Sequence, residues 1–424
     1  MNRPVLILGS IPRIVVPIAR SLCRRGVKVD VASFPSSPRI ASNAIAESRN
    51  ITPPHVDHEQ FIEDLRTFIG ERQHDMLIPA DDWMLKSVLE HYGELSELLH
   101  LACPPPSVAS RVLDKSATLA VAQRCGIPIP RTEFVESSSQ VHDLFEILPF
   151  PWILKPAQKE TRKESFKSSI LFNADEVRKR FPVEQQFAVP MLVQEYCSGA
   201  GVGVEILLHH DECLAAFQHR RTKEAPDTGG VSVTAIAEAI DRNLLESSLA
   251  LLHALRWQGV AMVEYKVNPN GRAVLMEVNG RYWGTLSLPI YAGIDFPLYQ
   301  WELAHGMRPQ IPKTYMVGTK WRWTTGYLQR LYGLARNVCY SDVATRLLRE
   351  NLIQLPNDFM PSVHDATFTF SDPMPSLVDF LRALRDFIAR RVKAVGEGGF
   401  SSVSPLAHAN LLRESRVPEE RPTL

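Results

Sequence analysis

The chain of 424 residues, 45% hydrophobic and 22% charged, has an ordinary globular composition and is long enough for two or three domains. Its 47 basic and 47 acidic residues cancel, which argues against nucleic acid or an anionic membrane surface as a partner. The six cysteines form no CxxC pair and no apolar run approaches the roughly 18 residues of a membrane span, so we expect a soluble, cytoplasmic protein with reduced thiols.

The first part of the chain has the pattern of a strand–helix–strand unit. Val5–Leu8 is an apolar strand that stops at Gly9, residues 14–25 have helical spacing, and residues 27–32 form a second strand. This order predicts a parallel sheet whose ligand site lies at the strand ends, near Gly9. An NAD-dependent dehydrogenase is not favoured, because the turn lacks the further glycines and the acidic residue of the dinucleotide fingerprint.

Two further features complete the first part. The strand Met76–Pro79 is followed by Asp81 and Asp82, and these acids either contact a ligand or cap the next helix. Three consecutive prolines at 104–106 interrupt regular structure. We therefore place a domain boundary at residue 108.

The middle part of the chain alternates strands with turns. We predict a helix over 110–125, a strand over 149–156 that ends with Lys155 and a proline, and a strand over 189–196. Two strands over 202–208 and 214–219 lie beside glycines 199, 201 and 203, and a polar loop over 220–230 and a helix over 242–255 follow. Residues 260–265 and 273–278 then form a hairpin across an Asn-Pro-Asn-Gly turn.

This hairpin carries the clearest chemistry. Glu277 and Asn279 are two apart on one strand and project from the same face, and Glu264 on the partner strand can reach that face. Two carboxylates and an amide oxygen suit Mg²⁺, which completes its shell with phosphate and water oxygens. Arg281 follows on the same side and could neutralise phosphate charge. The alternative, a solvent-facing polar strand, fits poorly with the apolar neighbours of Glu277.

A second candidate is the predicted loop over 220–230, in which Arg220 and Arg221 precede a Thr-Gly-Gly run. Cationic side chains next to exposed amides suit a phosphate or an anionic acyl group. A solvated charged loop would have the same composition. We expect Arg220 and Arg221 to act as a pair.

The last part of the chain is less distinctive. Residues 342–350 and 375–392 have amphipathic helical spacing, and the Gly- and Ser-rich stretch from residue 396 predicts a flexible tail. The aromatic residues of the 319–323 stretch could line a substrate pocket, although aromatic residues in such a setting are more often core.

The hairpin motifs resemble the metal-binding signature of the ATP-grasp superfamily. They are Val263-Glu264-Tyr265, Gly271 and Leu275-Met276-Glu277-Val278-Asn279-Gly280-Arg281. Over residues 4–305 the chain is most similar to the carbamoyl-phosphate-synthetase-like carboxylate–amine ligases of that superfamily. The resemblance implies a mixed α/β and α+β fold, with a Rossmann-like domain (1–108), a two-lobed ATP-grasp domain (109–306), a partly helical C-terminal extension (307–395) and a tail (396–424).

The resemblance also assigns the metal and phosphate contacts. Glu264, Glu277 and Asn279 would hold Mg²⁺, or Mn²⁺ in its place, on the phosphates of ATP. Lys115, at the entry to the grasp domain, would lie near phosphate, and Lys155 would contact the α- and β-phosphates. A lysine point charge suits that task.

Gln194, Glu195 and Tyr196 resemble the hinge between the two lobes, where backbone groups read the adenine edge. Many relatives have a glutamate shortly after this hinge that holds the ribose, but here residues 198–203 are small. Glu195 or Glu205 could supply the ribose contact instead.

The reaction implied is attack of a substrate carboxylate on the γ-phosphate, followed by displacement of the acyl phosphate by an amine, with Arg220, Arg221 and Arg281 as catalytic residues. The partners would be a small-molecule carboxylate and an amine, with a homodimer as a possible assembly and no nucleic acid or membrane. One alternative is carboxylation through carboxyphosphate, which would require bicarbonate. Another is a non-catalytic nucleotide-binding protein, in which the metal carboxylates would be lost.

Overall fold

The structure is a computed structural model that describes residues 3–34, 40–158, 169–181, 186–226, 229–338 and 341–396. Within these residues the strands form three sheets. The predicted tail lies outside the described residues from position 397 onward. No helix in these ranges combines the length and apolar character that a membrane span needs.

The first sheet is parallel and follows the predicted pattern. Its strands are β1 (Val5–Leu8), β2 (Val29–Ser33), β3 (Glu47–Asn50), β4 (Met76–Pro79) and β5 (His100–Leu101), in the order β3-β2-β1-β4-β5. The helices that accompany it are α1 (Pro12–Cys23), α2 (His58–Arg72), α3 (Asp82–Glu90) and α4 (Tyr92–Leu98). Every residue of β1 and β4 is buried, because helices cover both faces of such a sheet.

The second sheet forms the smaller lobe. Its strands are β6 (Thr132–Ser137), β7 (Trp152–Pro156), β8 (Ser169–Leu171) and β9 (Gln186–Glu195), in the order β6-β9-β7-β8. The single helix predicted over 110–125 is wrong, since the chain forms α5 (Pro106–Leu113) and α6 (Lys115–Arg124). Asp114 has extended backbone angles and caps α6 by accepting from the Ser116 and Ala117 amides, which ends one helix and starts the next.

Two shorter helices belong to this lobe, α7 (Ser138–His142) and α8 (Ala174–Arg180). Its core is built around Trp152, which is fully buried and stacks on Phe150 with ring centroids 4.1 Å apart. Val135, Leu154 and Val193 from three of the strands complete that core. The small lobe therefore has its own apolar centre.

The third sheet is the large one and carries the predicted hairpin. Its strands are β10 (Ala200–His209), β11 (Glu212–Ala225), β12 (Val231–Glu238), β13 (Gly259–Val267), β14 (Ala273–Asn279), β15 (Lys320–Arg322) and β16 (Val363–Asp365), in the order β14-β13-β10-β11-β12-β15-β16. The helices after β12 are α9 (Arg242–Ala254), α10 (Ser287–Ala292) and α11 (Phe296–Ala304). The hairpin prediction is confirmed by the β13–β14 pairing.

The predicted polar loop over 220–230 is wrong in this sheet. β11 continues to Ala225 and pairs with β12 as far as Val231, so only a short connection remains, of which Asp227 and Thr228 lie outside the described residues. The charged side chains there are compatible with a strand because Arg221 forms ion pairs with Glu224 in the same strand and with Glu264 of β13. The polarity of the segment therefore led to the wrong prediction of a loop.

The C-terminal segment extends the large sheet. Its helices are α12 (Thr324–Asn337), α13 (Asp342–Asp358) and α14 (Met374–Gly396), and its two short strands β15 and β16 join the edge next to β12. The predicted helices at 342–350 and 375–392 are confirmed within α13 and α14. The two strands β15 and β16 were not predicted from the sequence.

One apolar core joins the first sheet to the large one. Ile14 and Val15 of α1 pack in the same cluster as Phe217 of β11 and Trp283 after β14. Trp321 of β15 belongs to this cluster and is fully buried. The carboxyl end of β1, the end of β14 and the C-terminal segment are therefore held together as one packed unit.

Candidate functional site

The β13–β14 hairpin brings the predicted acids together. Glu264 and Glu277 are directly opposite each other in the antiparallel register, so their side chains lie on one face of the sheet. The side-chain nitrogen of Asn279 donates to Glu264 Oε1 at 2.6 Å and to Glu277 Oε1 at 3.4 Å. The three side chains that the sequence analysis proposed for Mg²⁺ thus converge on one point of the large sheet.

Arg221 of β11 lies beside this group. Its Nη2 donates to Glu264 Oε2, and its Nη1 lies 3.3 Å from Glu224 Oε1 and 3.2 Å from the carbonyl oxygen of Gly230. Burial alone would lower the pKa of Arg221, but the carboxylates of Glu264 and Glu224 outweigh burial and raise that pKa. Arg221 is therefore a permanent positive charge next to two of the acids.

Two glycines of β10 make room for these side chains. A Cβ on Gly201 would lie 2.8 Å from Arg221 Cδ and 2.9 Å from Glu224 Oε1, and a Cβ on Gly203 would lie 2.5 Å from His219 Cε1. Contacts this short cannot form without a shift of the neighbour. These glycines thus allow close approach of side chains from the adjacent strand.

Arg220 is not part of the group. Neighbouring residues on a strand project from opposite faces, so Arg220 points away from Arg221 and pairs with Glu238 on β12. The expectation that Arg220 and Arg221 act as a pair depended on a loop, and β11 is a strand at both positions. The structure therefore retains Arg221 at the site and separates Arg220 from it.

Arg281 connects the hairpin to the first sheet. Its Nη2 donates to Asp82 Oδ2 at 2.6 Å and its Nη1 to the carbonyl oxygen of Tyr282 at 3.0 Å. Burial opposes its charge, but Asp82 and Glu277 raise the pKa of Arg281 above its usual value. Of the two acids after β4, Asp81 caps α3 through the Met84 amide and Asp82 forms this ion pair.

The two predicted phosphate lysines lie at the same end of β7. Lys115 donates its backbone amide to the Ala157 carbonyl at 3.0 Å, and its Nζ lies 3.4 Å from the Pro156 carbonyl. Lys155 lies near the thiol of Cys197, whose pKa is raised to about 11 by burial and Glu195, with Lys155 among the cations that oppose this rise. Lys155 therefore lies next to the connection between the lobes.

The hinge residues are already engaged through their amides. Glu195 donates its backbone N–H to Arg131 O at 3.0 Å and Tyr196 donates to Pro151 O at 2.9 Å. Gln194 is buried and its Nε2 donates to Thr132 Oγ1 at 2.7 Å. The amides of Glu195 and Tyr196 therefore have partners within the protein, and the contact of this segment with adenine stays a prediction.

Glu205 does not suit the ribose contact proposed for it. Its side chain is fully buried and lies 2.6 Å from His219 Nδ1. Burial raises the pKa of Glu205, and His219 opposes that rise. A carboxylate enclosed in this way cannot reach a nucleotide without local unfolding, so of the two candidates Glu195 alone remains a prediction.

The C-terminal helices support the end of β11 that carries Arg221. Lys223 pairs with Asp358 of α13 and its Nζ lies 3.0 Å from Tyr327 Oη of α12. Arg330 of α12 donates to the backbone oxygen of Glu224. These contacts fix the strand on which the positive charge of the site is placed.

The sequence analysis did not identify Arg13 as a site residue. It lies in the first turn of α1, its guanidinium carbon is 4.4 Å from the centre of the Trp323 ring, and Arg221 and Arg281 are close enough to affect its pKa. The only signal in the sequence was its place directly after the strand end at Gly9, where ligands bind in parallel sheets.

A family model described as "ATP-grasp in the biosynthetic pathway with Ter operon" matches residues 187–326. This range contains β10 to β15 and therefore the whole acid group with Arg221 and Arg281. The match covers the part of the chain in which the sequence analysis found the metal-binding motifs.

Two curated proteins of Enterococcus faecium are similar in sequence. D-aspartate ligase of strain Aus0004 is 24% identical over 279 residues, covering 60% of this chain and 66% of that protein. The vancomycin/teicoplanin A-type resistance protein VanA is 25% identical over 201 residues, covering 44% of this chain and 57% of that protein. In each case the match spans less than two thirds of the relative.

Among solved structures, an L-amino acid ligase from Bacillus licheniformis superposes with a TM-score of 0.58 and 17% identity, covering 73% of this chain and 75% of that one. Similarity at this level of identity establishes a shared fold. It leaves the reaction to be argued from the site itself.

Proposed function

This chain belongs to the ATP-grasp superfamily, and we propose that it is an ATP-dependent ligase that activates a carboxylate as an acyl phosphate for attack by an amine. The observation that carries the proposal is the convergence of Glu264, Glu277 and Asn279 beside Arg221. Hard oxygen ligands and a fixed cation on one face of a sheet are what phosphoryl transfer requires.

The donor set fits Mg²⁺. Glu264 and Glu277 supply carboxylate oxygens, and Asn279 would supply its amide oxygen after a half-turn of the amide group, an orientation that hydrogen bonding decides. When bound with ATP, the ion would neutralise charge on the terminal phosphates. Mn²⁺ prefers the same oxygen ligands and could replace it.

Two arginine side chains would supply the remaining positive charge. Arg221 is held by Glu264, Glu224 and the Gly230 carbonyl, and there its guanidinium would neutralise charge on the transferring phosphoryl group. Arg281 is held by Asp82 and contributes a fixed charge close to Glu277. Positioning and charge neutralisation of this kind account for most catalysis of phosphoryl transfer.

The test is to incubate the purified chain with ATP and Mg²⁺ against panels of carboxylic acids and amines, with ADP release and product masses as readouts. Formation of ADP together with an amide product in one acid–amine pair is the expected result. If bicarbonate is needed for ADP release and a carboxylated metabolite appears, the carboxylase alternative holds instead. Unchanged ATP with every acid and amine would favour the non-catalytic alternative.

Replacement of Lys155 by alanine should weaken the use of ATP more than the use of the acid or the amine. The side chain lies at the interlobe connection, and loss of one phosphate contact of a charged group corresponds to an increase of about tenfold in the KM for ATP. The control is Lys179→Ala, an exposed lysine on α8 of the same lobe. Equal ATP kinetics in Lys155→Ala and the control would remove Lys155 from the nucleotide site.

A further inference from the structure

Arg13 is held in place by two different parts of the chain. Its guanidinium carbon lies 4.4 Å from the centre of the Trp323 ring, which precedes α12. A Cβ on Gly284, which follows β14, would lie 2.9 Å from that same carbon, so a larger residue at position 284 would displace the guanidinium. The side chain therefore has a defined position where α1, the end of the hairpin and the C-terminal segment meet.

Apart from the Trp323 ring, the guanidinium of Arg13 has no hydrogen-bond or ion-pair partner among the described residues. By contrast, Arg221 pairs with Glu264 and Glu224, and Arg281 pairs with Asp82. Burial lowers the pKa of Arg13 to about 10; the nearby Asp379 opposes this shift, whereas Arg281 and Arg221 add to it. Arg13 is partly buried, and a partly buried cation beside two others is unfavourable until an anion binds.

The position of Arg13 separates it from the acids that would hold the metal. Arg221 contacts Glu264 directly, whereas Arg13 contacts none of Glu264, Glu277 and Asn279. A carboxylate that attacks the γ-phosphate must lie at the acids and Arg221. An anion bound by Arg13 would therefore be a group other than the reacting carboxylate.

We propose that Arg13 is a specificity-determining residue that binds a second anionic group, a carboxylate or a phosphate, on the acid substrate. The inference rests on the proposed ligase function and adds the class of acid, namely one that carries a second negative charge. A guanidinium fixed at its face and free at its edge suits paired hydrogen bonds to such a group.

The C-terminal segment positions this residue. Trp323 Nε1 donates to Asp379 Oδ2 of α14 at 2.7 Å, and Arg382 Nη1 donates to the carbonyl oxygen of Ser10 at 3.2 Å. The first of these contacts fixes the ring against which Arg13 lies, and the second holds α14 on the turn between β1 and α1. Helix α14 therefore helps to build the end of the site that receives the second anion.

The test uses the full chain with Mg²⁺ and a non-hydrolysable ATP analogue, and measures acid binding by calorimetry. Matched probes differ in one anionic group: aspartate against asparagine, glutamate against glutamine, and phosphoserine against serine. The wild type should bind at least one doubly charged acid about tenfold or more tightly than its partner, as expected for a charged hydrogen-bonded contact. A preference in the aspartate or glutamate pair identifies the second group as a carboxylate, and a preference in the phosphoserine pair identifies it as a phosphate.

In Arg13→Gln the preference for the second anionic group should be lost, while the affinity for the nucleotide analogue stays unchanged. Arg13→Lys should retain part of that preference. The matched control is Arg24→Gln at the exposed end of the same helix, which should keep the wild-type preference. A preference that persists in Arg13→Gln, or a wild type that favours no doubly charged acid, overturns the inference. Because binding is measured without turnover, this outcome is independent of whether ADP release supports the ligase proposal.

Discussion

Glu277→Gln should reduce ATP-dependent turnover by about a thousandfold while the protein stays folded. The substitution removes a negative charge from the point at which Glu264, Glu277 and Asn279 converge. Loss of one electrostatic contact made in a transition state costs on the order of a hundredfold to a thousandfold, and a metal ligand lies at the upper end of that range. Initial rates of ADP release at saturating acid and amine measure the effect.

Two controls make that result specific. Glu238→Gln removes a carboxylate at the end of β12 in the same sheet, where it pairs with Arg220, and should leave the rate unchanged. Thermal unfolding of both variants shows whether they remain folded. If Glu277→Gln melts far below the wild type and its activity follows the folded fraction, the residue supports the structure and the metal assignment fails.

Arg221→Gln should lower kcat by about a hundredfold. Its guanidinium contacts Glu264, Glu224 and the Gly230 carbonyl, so it is fixed where charge develops on the transferring group. Arg221→Lys should recover little, because an ammonium cannot reproduce several directed contacts at once. The KM for ATP should change less than kcat, since the contact is made mainly in the transition state.

The neighbouring residue provides the matched control. Arg220→Gln changes the same side-chain type one position earlier, on the opposite face of β11, and should leave kcat unchanged. Comparable losses in the two variants would show that the basic run acts as a whole, as the predicted loop would, and would contradict the strand geometry on which the role of Arg221 rests.

The hairpin was predictable because its signals are local. The Asn-Gly turn fixes how β13 and β14 pair, and the alternation of a strand places Glu277 and Asn279 on one face. Glu264 follows from the same pairing. The short, fully apolar strands of the first sheet were equally predictable, because a strand that is buried on both faces has a continuous apolar sequence.

Other parts of the site depend on contacts that are distant in sequence. The polarity of residues 220–225 predicts a loop. The segment forms a strand because its charges pair within β11 and with β13. Glu205 carries a carboxylate, which could contact a ligand. The pairing of β10 with β11 instead buries it against His219. The position of Arg13 depends on Trp323, which is 310 positions away in the chain.

The measurement that tests the central claim most directly is isotope transfer from the acid. With oxygen-18 in the carboxylate of a productive acid, attack on the γ-phosphate places one labelled oxygen between carbon and phosphorus, and displacement by the amine then releases it with phosphate. We therefore predict ADP as the nucleotide product and oxygen-18 in the released phosphate. AMP with pyrophosphate, or turnover that leaves the phosphate unlabelled, would contradict the acyl-phosphate account.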